Sequence, residues 1–367
     1  MPLPVVDPAQ YENQLAAKLQ NLRTDFAPLH APEPEVFRSA PEHYRLRAEF
    51  RVWKNADSID YVMFDPADPQ TPIALTQFPT GSLRINMLMP QLREALLQHD
   101  ILRQRLYAVE FLTTLSGDAL ITLIYHKRLD ERWRSAALQL RSTLGVDLIG
   151  RSKGQKILLD RDWVQETLHV DTRDWHYRQI EGSFTQPNGG TNQHMLNWAC
   201  AQAKNIAQQN DGGDLLELYC GNGNFTLPLS RHFGKVLATE VAKTSIAAAR
   251  HNLAANGVDN VALARLSSDE ISTALSGGRA FRRLQDIDLA GYRFSTLLVD
   301  PPRMGLDPVT LQLATRFDNI LYISCNPVTL RENLIALQQT HGIAAFAVFD
   351  QFPYTHHLEC GVLLSKR

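Results

Sequence analysis

The chain has 367 residues, 44% of them hydrophobic, and its 37 Lys and Arg against 39 Asp and Glu leave a formal charge of −2. That length supports more than one core and predicts two or three domains, while the near-neutral total leaves room for a basic face on one of them. Four scattered cysteines, Cys200, Cys220, Cys325 and Cys360, form no C-x-x-C pair, so neither a zinc nor an iron–sulfur site is expected, and no apolar run reaches the roughly 18 residues of a membrane span.

The opening MPLPVVDPAQYENQL lacks the basic start and apolar core of a secretory signal, and a cytoplasmic protein is expected. Pro8 to Asn21 predicts a helix, and the proline-rich APLHAPEPEVF after it reads as a linker. From Tyr44 to Trp175 the texture is strand-rich. In HYRLRAEFRVW, Tyr44, Leu46, Ala48, Phe50 and Val52 fall on one face, and Arg45, Arg47, Glu49, Arg51 and Trp53 on the other. IDYVMFD and EFLTTLSGDALITLIYH predict further strands, the second broken at Gly-Asp. LREALLQHDILRQRL and DERWRSAALQLRSTL predict helices.

After SFTQPNGG the pattern changes. A long helix is predicted from Thr191 to Gln208, and then short apolar strands alternate with helices: DLLELYC, VLATEV, VALARL, STLLVD, ILYISC, AAFAVFDQF and LECGVLLS. That order predicts an α/β fold with a parallel, doubly wound sheet. Only PYTHH separates the last two strands, too short for a helical crossover, so they are expected as an antiparallel hairpin at the sheet edge. The predicted partition is an N-terminal helix and linker over 1–43, a mixed α+β domain over 44–178 whose arginine-rich strand face suits RNA binding, and the α/β domain over 179–367.

The chemistry-bearing residues sit where strands end. In DLLELYCGNGNF, Gly221 and Gly223 form a strand-to-helix loop, and Glu240 follows about twenty residues later at the end of the next strand, where a carboxylate suits ribose hydroxyls. The third glycine of a dinucleotide loop is missing: Asn224, Phe225 and Thr226 follow Gly223. This favours an adenosyl cofactor without phosphate over NAD, with a plain turn as the alternative. Asp300-Pro301-Pro302-Arg303 ends another strand and places Asp300 at the same edge. An aromatic residue after Asp-Pro-Pro would suit amino-group methylation; Arg303 instead suits an acceptor whose carbonyl oxygen gains charge.

Cys325 ends the next strand. Asn326 suits a helix N-cap and Pro327 its first turn, so the helix dipole is expected to favour the thiolate. A packing role is the alternative. Glu359 lies in the last strand, read as an edge strand, where burial would raise its pKa into the range of a useful base. His356 and His357 read as structural hydrogen-bonding residues, without a metal. Arg45, Arg47, Arg51 and Trp53 combine charge with an aromatic platform for RNA, extended by His126, Lys127, Arg128, Arg151, Lys153 and Lys156. Tyr107 and Phe111 suit either base stacking or core packing.

Taken together, SFTQPN, LELYCGNGNF, DPPRMGLD, YISCNP and HHLECGVLL resemble the RNA 5-methyluridine methyltransferase family over nearly the whole chain. The N-terminal nucleic-acid-binding barrel of its ribosomal-RNA members and their four-cysteine cluster are not found, which points to the tRNA branch. The resemblance implies a Rossmann-like methyltransferase domain that uses S-adenosyl-L-methionine to methylate C5 of the T-loop uridine at conventional position 54 of tRNA. It implies Gln186, Tyr219, Asn224, Glu240 and Asp300 as cofactor contacts, Cys325 as nucleophile and Glu359 as base. The T-loop of transfer-messenger RNA is the implied second substrate. No membrane or metal partner is expected, and the chain is expected to act as a monomer. Two other readings stand beside this one: methylation of a different RNA base, either a ribosomal uridine or adenine N6, and an RNA-binding or RNA-folding protein with a vestigial methyltransferase domain.

Overall fold

The computed structural model describes residues 6–54, 58–65, 67–209, 213–279 and 281–367. Met1 to Val5, the start of the segment read as lacking a secretory pattern, lie outside them. The chain forms two compact units that interleave along the sequence. Among the described residues, Ala40–Thr167 and Gln179–Gly189, with those up to Ala9, form the first; Gln10–Ser39, Leu168–Arg178 and Gly190–Arg367 form the second. This division differs from the partition at residues 43 and 178, because the first helix and the segment after it belong with the α/β unit.

That helix, α1 (Tyr11–Phe26), buries Leu15, Leu19, Leu22 and Phe26. Their spacing of three and four puts them on one face of the helix. The linker residues Glu35–Phe37 form a strand, β1. The first unit then builds β2 (Arg47–Lys54), β3 (Ile59–Asp65), β4 (Asp68–Leu75), α2 (Leu83–Leu97), α3 (Asp100–Arg103), β5 (Leu106–Thr113), β6 (Ala119–Tyr125), α4 (Glu131–Leu144), β7 (Asp147–Ser152) and β8 (Gln155–Leu158). They form a seven-stranded sheet in the order β4-β3-β2-β5-β6-β7-β8, antiparallel except at the β6–β7 pair. α2 and α4 pack their apolar faces on it: Leu88, Leu92 and Leu96 join Trp133, Ala137 and Leu140 in a core with Phe50, Tyr61, Phe111 and Leu123. Phe111 is fully buried there, which settles its reading as core packing.

β9 (Trp163–Val170) and β10 (Arg173–Ile180) pair as a two-stranded ribbon. The second unit continues with α5 (Gly189–Gln209), β11 (Asp214–Leu218), α6 (Thr226–Leu229), β12 (Val236–Thr239), α7 (Lys243–Ala255), β13 (Val261–Ala264), α8 (Ser268–Leu275), β14 (Phe294–Val299), α9 (Pro308–Ala314), β15 (Asn319–Ser324), α10 (Pro327–Leu337), β16 (His341–Phe349) and β17 (Glu359–Lys366). Its sheet runs β1-β16-β17-β15-β14-β11-β12-β13. β11, β14 and β15 are buried along nearly their whole length because both faces are covered: Leu216, Leu218, Leu297, Val299 and Ile320 join one core, and Leu215, Leu298, Leu321 and Ile323 the other.

The C-terminal pair is antiparallel, as its short connection requires, but it does not form the edge. β17 inserts between β15 and β16, antiparallel to both, and β1 covers β16 in parallel register from Glu35–Ala347 to Phe37–Phe349. The expectation of an edge strand missed this because the strand came from residues read as a linker. Glu359 thus lies on an interior strand.

Candidate active site

The topology brings the chemistry to one end of the second unit's sheet. Parallel pairing aligns Leu218 with Val299 and Thr239, and Val299 with Tyr322. The residues after these strands, Tyr219, Glu240, Asp300 and Cys325, therefore leave the sheet at the same edge. β17 runs the other way, so its first residue, Glu359, arrives there too: Ser324 pairs with Cys360, and Cys325 and Glu359 are the next residues on adjacent strands.

The loop after β11 turns through left-handed backbone at Tyr219 (φ 61°), Gly221 (φ 56°) and Gly223 (φ 85°). A Cβ on Gly221 would meet nothing within 4 Å, which leaves open space beside the loop; one on Gly223 would come within 2.8 Å of Leu227. Glu240 holds the loop: its carboxylate accepts from the Gly221 N–H at 3.1 Å and the Ala242 N–H at 2.8 Å. A carboxylate with those two bonds keeps lone pairs for ribose hydroxyls. Asn224 exchanges two amide hydrogen bonds of 2.9 Å with Asn192, and its carbonyl accepts from the Tyr177 hydroxyl at 3.0 Å. Gln186 belongs to the first unit. Its neighbour Pro187 accepts from the Leu46 N–H at 2.7 Å, and Asn188 bridges Arg45.

The Asp-Pro-Pro-Arg loop is tied to the helix that follows Cys325. Asn326 caps α10 by accepting from the Val328 N–H, and Pro327 opens its first turn, both as expected. The Arg303 carbonyl accepts from the Asn326 amide at 2.9 Å and the Thr329 hydroxyl at 3.2 Å. Deeper in, Asn333 accepts from the Leu306 N–H at 2.8 Å and the Tyr322 hydroxyl at 2.7 Å. Arg303 itself is exposed, and its Nη2 lies 3.3 Å from Nδ1 of His357.

The electrostatics correct one expectation. The Cys325 thiol is pushed up to about 11, by burial first and then by the charges of Glu359 and Asp300, with Arg303 opposing. The free protein holds a thiol rather than a dipole-stabilised thiolate, because desolvation and two carboxyls outweigh the helix terminus. Burial raises Asp300 to about 7 and lifts Glu359 well above the ordinary carboxylate value, the latter helped by Asp300 and opposed by Arg303. These couplings place the thiol, the two carboxyls and the guanidinium within one another's field. Burial also lifts Glu217 in β11 to about 8, with Asp300 adding to it. Sequence reasoning missed this group, and its one signal was an acid inside the apolar run DLLEL. Among the described residues no group of three or more His, Cys, Asp and Glu is placed to hold a metal ion, and no helix is long and apolar enough to cross a membrane.

In the first unit, β2 has the expected alternation, with Ala48 and Phe50 buried and Glu49, Arg51 and Trp53 exposed. Two of the arginines assigned to RNA have internal partners. Arg47 pairs with Glu110 and donates to the Ser183 carbonyl at 3.0 Å; half-buried Arg45 donates to the Arg47 carbonyl at 2.9 Å. Arg151 makes two 2.6 Å bonds to Glu181, and Lys156 pairs with Asp162 at 2.7 Å. Arg51 stacks on Tyr107 at 3.7 Å, and Tyr107 stacks on His126 with ring centroids 4.0 Å apart. A groove of about 970 Å³ is lined by His126, Lys127, Arg128, Arg151 and Lys153.

A family model described as tRNA (Uracil-5-)-methyltransferase matches residues 10–367. A protein of Azoarcus sp. (strain BH72), named tRNA/tmRNA (uracil-C(5))-methyltransferase, is 61% identical over 366 residues, covering 100% of this chain and 99% of its own. A Dechloromonas aromatica (strain RCB) protein of the same name is 59% identical over 367 residues, with 100% of both chains covered. Among solved structures, the Pyrococcus abyssi tRNA (uracil-54, C5)-methyltransferase in complex with S-adenosyl-L-homocysteine superposes with a TM-score of 0.71 at 20% identity, over 96% of this chain and 83% of that one. That likeness concerns the fold.

Proposed function

The chain belongs to the tRNA (uracil-5-)-methyltransferase family, and from that premise we propose that its site methylates C5 of the T-loop uridine at position 54 of tRNA through a covalent adduct on Cys325. The enzyme is an S-adenosylmethionine-dependent tRNA uracil-C5 methyltransferase. The observation that carries the site assignment is the meeting of Cys325, Glu359, Asp300 and Arg303 at one end of the second unit's sheet, beside the glycine loop.

S-adenosylmethionine, when bound, supplies an electrophilic methyl group; Glu240, Asn224, Asp300 and Tyr219 would hold it at the loop, with Gln186 as a further contact by resemblance. The open space at Gly221 and the spare acceptor capacity of Glu240 fit an adenosyl group. The protein's own residues must make the uracil reactive. C5 of uracil is a poor nucleophile. Cys325 first releases its thiol proton to solvent; addition of the resulting thiolate to C6 breaks the C5=C6 π bond and moves its electron pair into an enolate across C5 and O4. In this reading Arg303, whose charge is felt by both Cys325 and Glu359, stabilises that charge. Once C5 carries a methyl group, Glu359 takes the remaining C5 proton, the pair from the C–H bond restores C5=C6, and the C6–S bond breaks. Treating unmodified tRNA and, separately, unmodified ribosomal RNA and analysing their nucleosides tests the reading: 5-methyluridine at position 54 of tRNA is expected, while N6-methyladenosine, or 5-methyluridine in the ribosomal RNA alone, overturns it.

The relatives' names add transfer-messenger RNA as a second substrate. The proposed compartment is the cytoplasm, supported by four free cysteines that fit a reducing environment and checked by fractionation; the chain is proposed to act as a monomer, which sedimentation checks. RNA meets the first unit at the Arg51–Tyr107–His126 stack, exposed Trp53, and the basic groove at Arg128 and Lys153. Arg45 and Arg47 support this face from within rather than touching phosphate. Arg51→Glu is expected to weaken tRNA binding roughly tenfold and to flatten its salt dependence by about one unit of slope, with cofactor affinity unchanged. Unchanged tRNA binding would remove this face from the interface.

A further inference from the structure

Lys18 lies on α1, more than 330 positions from Glu359 in sequence, and is only 8% exposed. Its ammonium donates three hydrogen bonds: to Asp350 Oδ1 at 2.6 Å, the Phe352 carbonyl at 2.9 Å and the His357 carbonyl at 3.1 Å. Those are all the donors an ammonium has. One turn earlier on the same face, Gln14 donates to Asp350 Oδ2 at 3.0 Å and accepts from the Tyr354 N–H at 3.3 Å. Two residues of α1 thus grip the segment from Asp350 to His357 at both ends. That segment joins β16 to β17, and Glu359 begins two residues beyond it.

His357 is where this grip meets the chemistry. Its carbonyl is held by Lys18, and its ring nitrogen Nδ1 faces Arg303 Nη2 at 3.3 Å. Arg303 in turn is fixed through its carbonyl to the cap of α10, next to Cys325. Lys18, His357, Arg303 and the α10 cap make one connected chain around the thiol and the base. An ion pair this deep is a poor stabiliser compared with apolar packing. The geometry uses Lys18 differently: three acceptors from three residues converge on one point, which a planar guanidinium cannot reproduce.

We propose that Lys18 is a positioning residue for the release half of the reaction, holding the His357 backbone so that Glu359 and Arg303 are aimed at the base attached to Cys325. This rests on the methyltransfer reading above. The segment it holds leads directly into the strand that begins with the proton acceptor, so its loosening slows removal of the C5 proton more than formation of the adduct.

The test uses full-length Lys18→Met with unmodified tRNA and cofactor, with the active fraction counted by adduct formation. A turnover number lowered 10- to 100-fold is expected, with KM for tRNA within threefold of wild type and a larger steady-state share of protein–RNA adduct that survives denaturation. Gln14→Leu, which leaves the ion pair in place, is expected to shift both readouts the same way by a smaller factor, and it decides the matter if Lys18→Met does not fold. Wild-type turnover per active site, or adduct formation and release slowed by the same factor, overturns the proposal. Failure of the wild-type protein to make 5-methyluridine would instead sink the methyltransfer reading itself.

Discussion

Cys325→Ala is expected to lower methylation by a factor on the order of 10⁴ or more while tRNA and cofactor still bind, because the enolate at C5 cannot form without a nucleophile at C6. Rapid quench and nucleoside analysis, beside a binding titration, measure the two arms. Turnover within tenfold of wild type would end the covalent mechanism. The same sulfur predicts a pH signature. Its thiol titrates at about 11, so the thiolate is the minority form throughout the neutral range. For an acid below its pKa, the ionised fraction grows about tenfold per pH unit. Adduct formation in a single turnover should therefore climb from pH 7 to pH 9. Asp300, at about 7, becomes charged over the same window and holds the thiol up, so the climb is shallower than tenfold per unit. A flat profile would mean that the thiolate already exists in the free protein, as the helix dipole alone would suggest.

How the site reads in the sequence follows from how it is built. Each chemical group lies at or just past one end of a buried strand, so a run of buried residues marks its place along the chain. Gly221, Asp300 and Cys325 were legible for that reason, as was the antiparallel return of β17, since PYTHH is too short for a crossover. Glu359 was legible as an acid in an apolar strand, but its neighbours were not, because β17 inserts between β15 and β16, an order that no sequence period reveals. Arg47 shows a second limit. Alternation places it correctly on the outer face of β2, yet its partner Glu110 lies on β5, and only tertiary pairing reveals that its charge is already matched. The Cys325 thiol shows a third. The helix cap was read correctly, and the sign of the shift was not, because burial and two carboxyls from distant strands outweigh one local dipole. Long-range polar contacts have no sequence period, and Lys18 with Asp350 is one of them at 332 residues apart.

Glu359→Gln should leave the first half of the reaction and stop the second. Glutamine keeps the shape and cannot take up the C5 proton, so the methylated base stays bonded to Cys325. Loss of a general base typically lowers rate by about 10²–10⁴-fold, and here the block falls after the methyl group has arrived. The expected result is one equivalent of denaturation-resistant protein–RNA adduct, already methylated, with little free 5-methyluridine. Burial places Glu359 well above the ordinary carboxylate range, and Asp300 adds to that while Arg303 opposes it. A carboxylate with raised proton affinity is a better acceptor for a carbon-bound proton, but it is ionised only as pH rises through its pKa. In the wild-type protein release should accordingly quicken with pH, and adduct trapped at low pH should discharge when the pH is raised. The glutamine variant should show neither effect. Free product at the wild-type rate from Glu359→Gln, with no trapped adduct, would assign the proton to another acceptor. Asp300, a raised carboxyl coupled to both Glu359 and Cys325, would then be the next group to substitute.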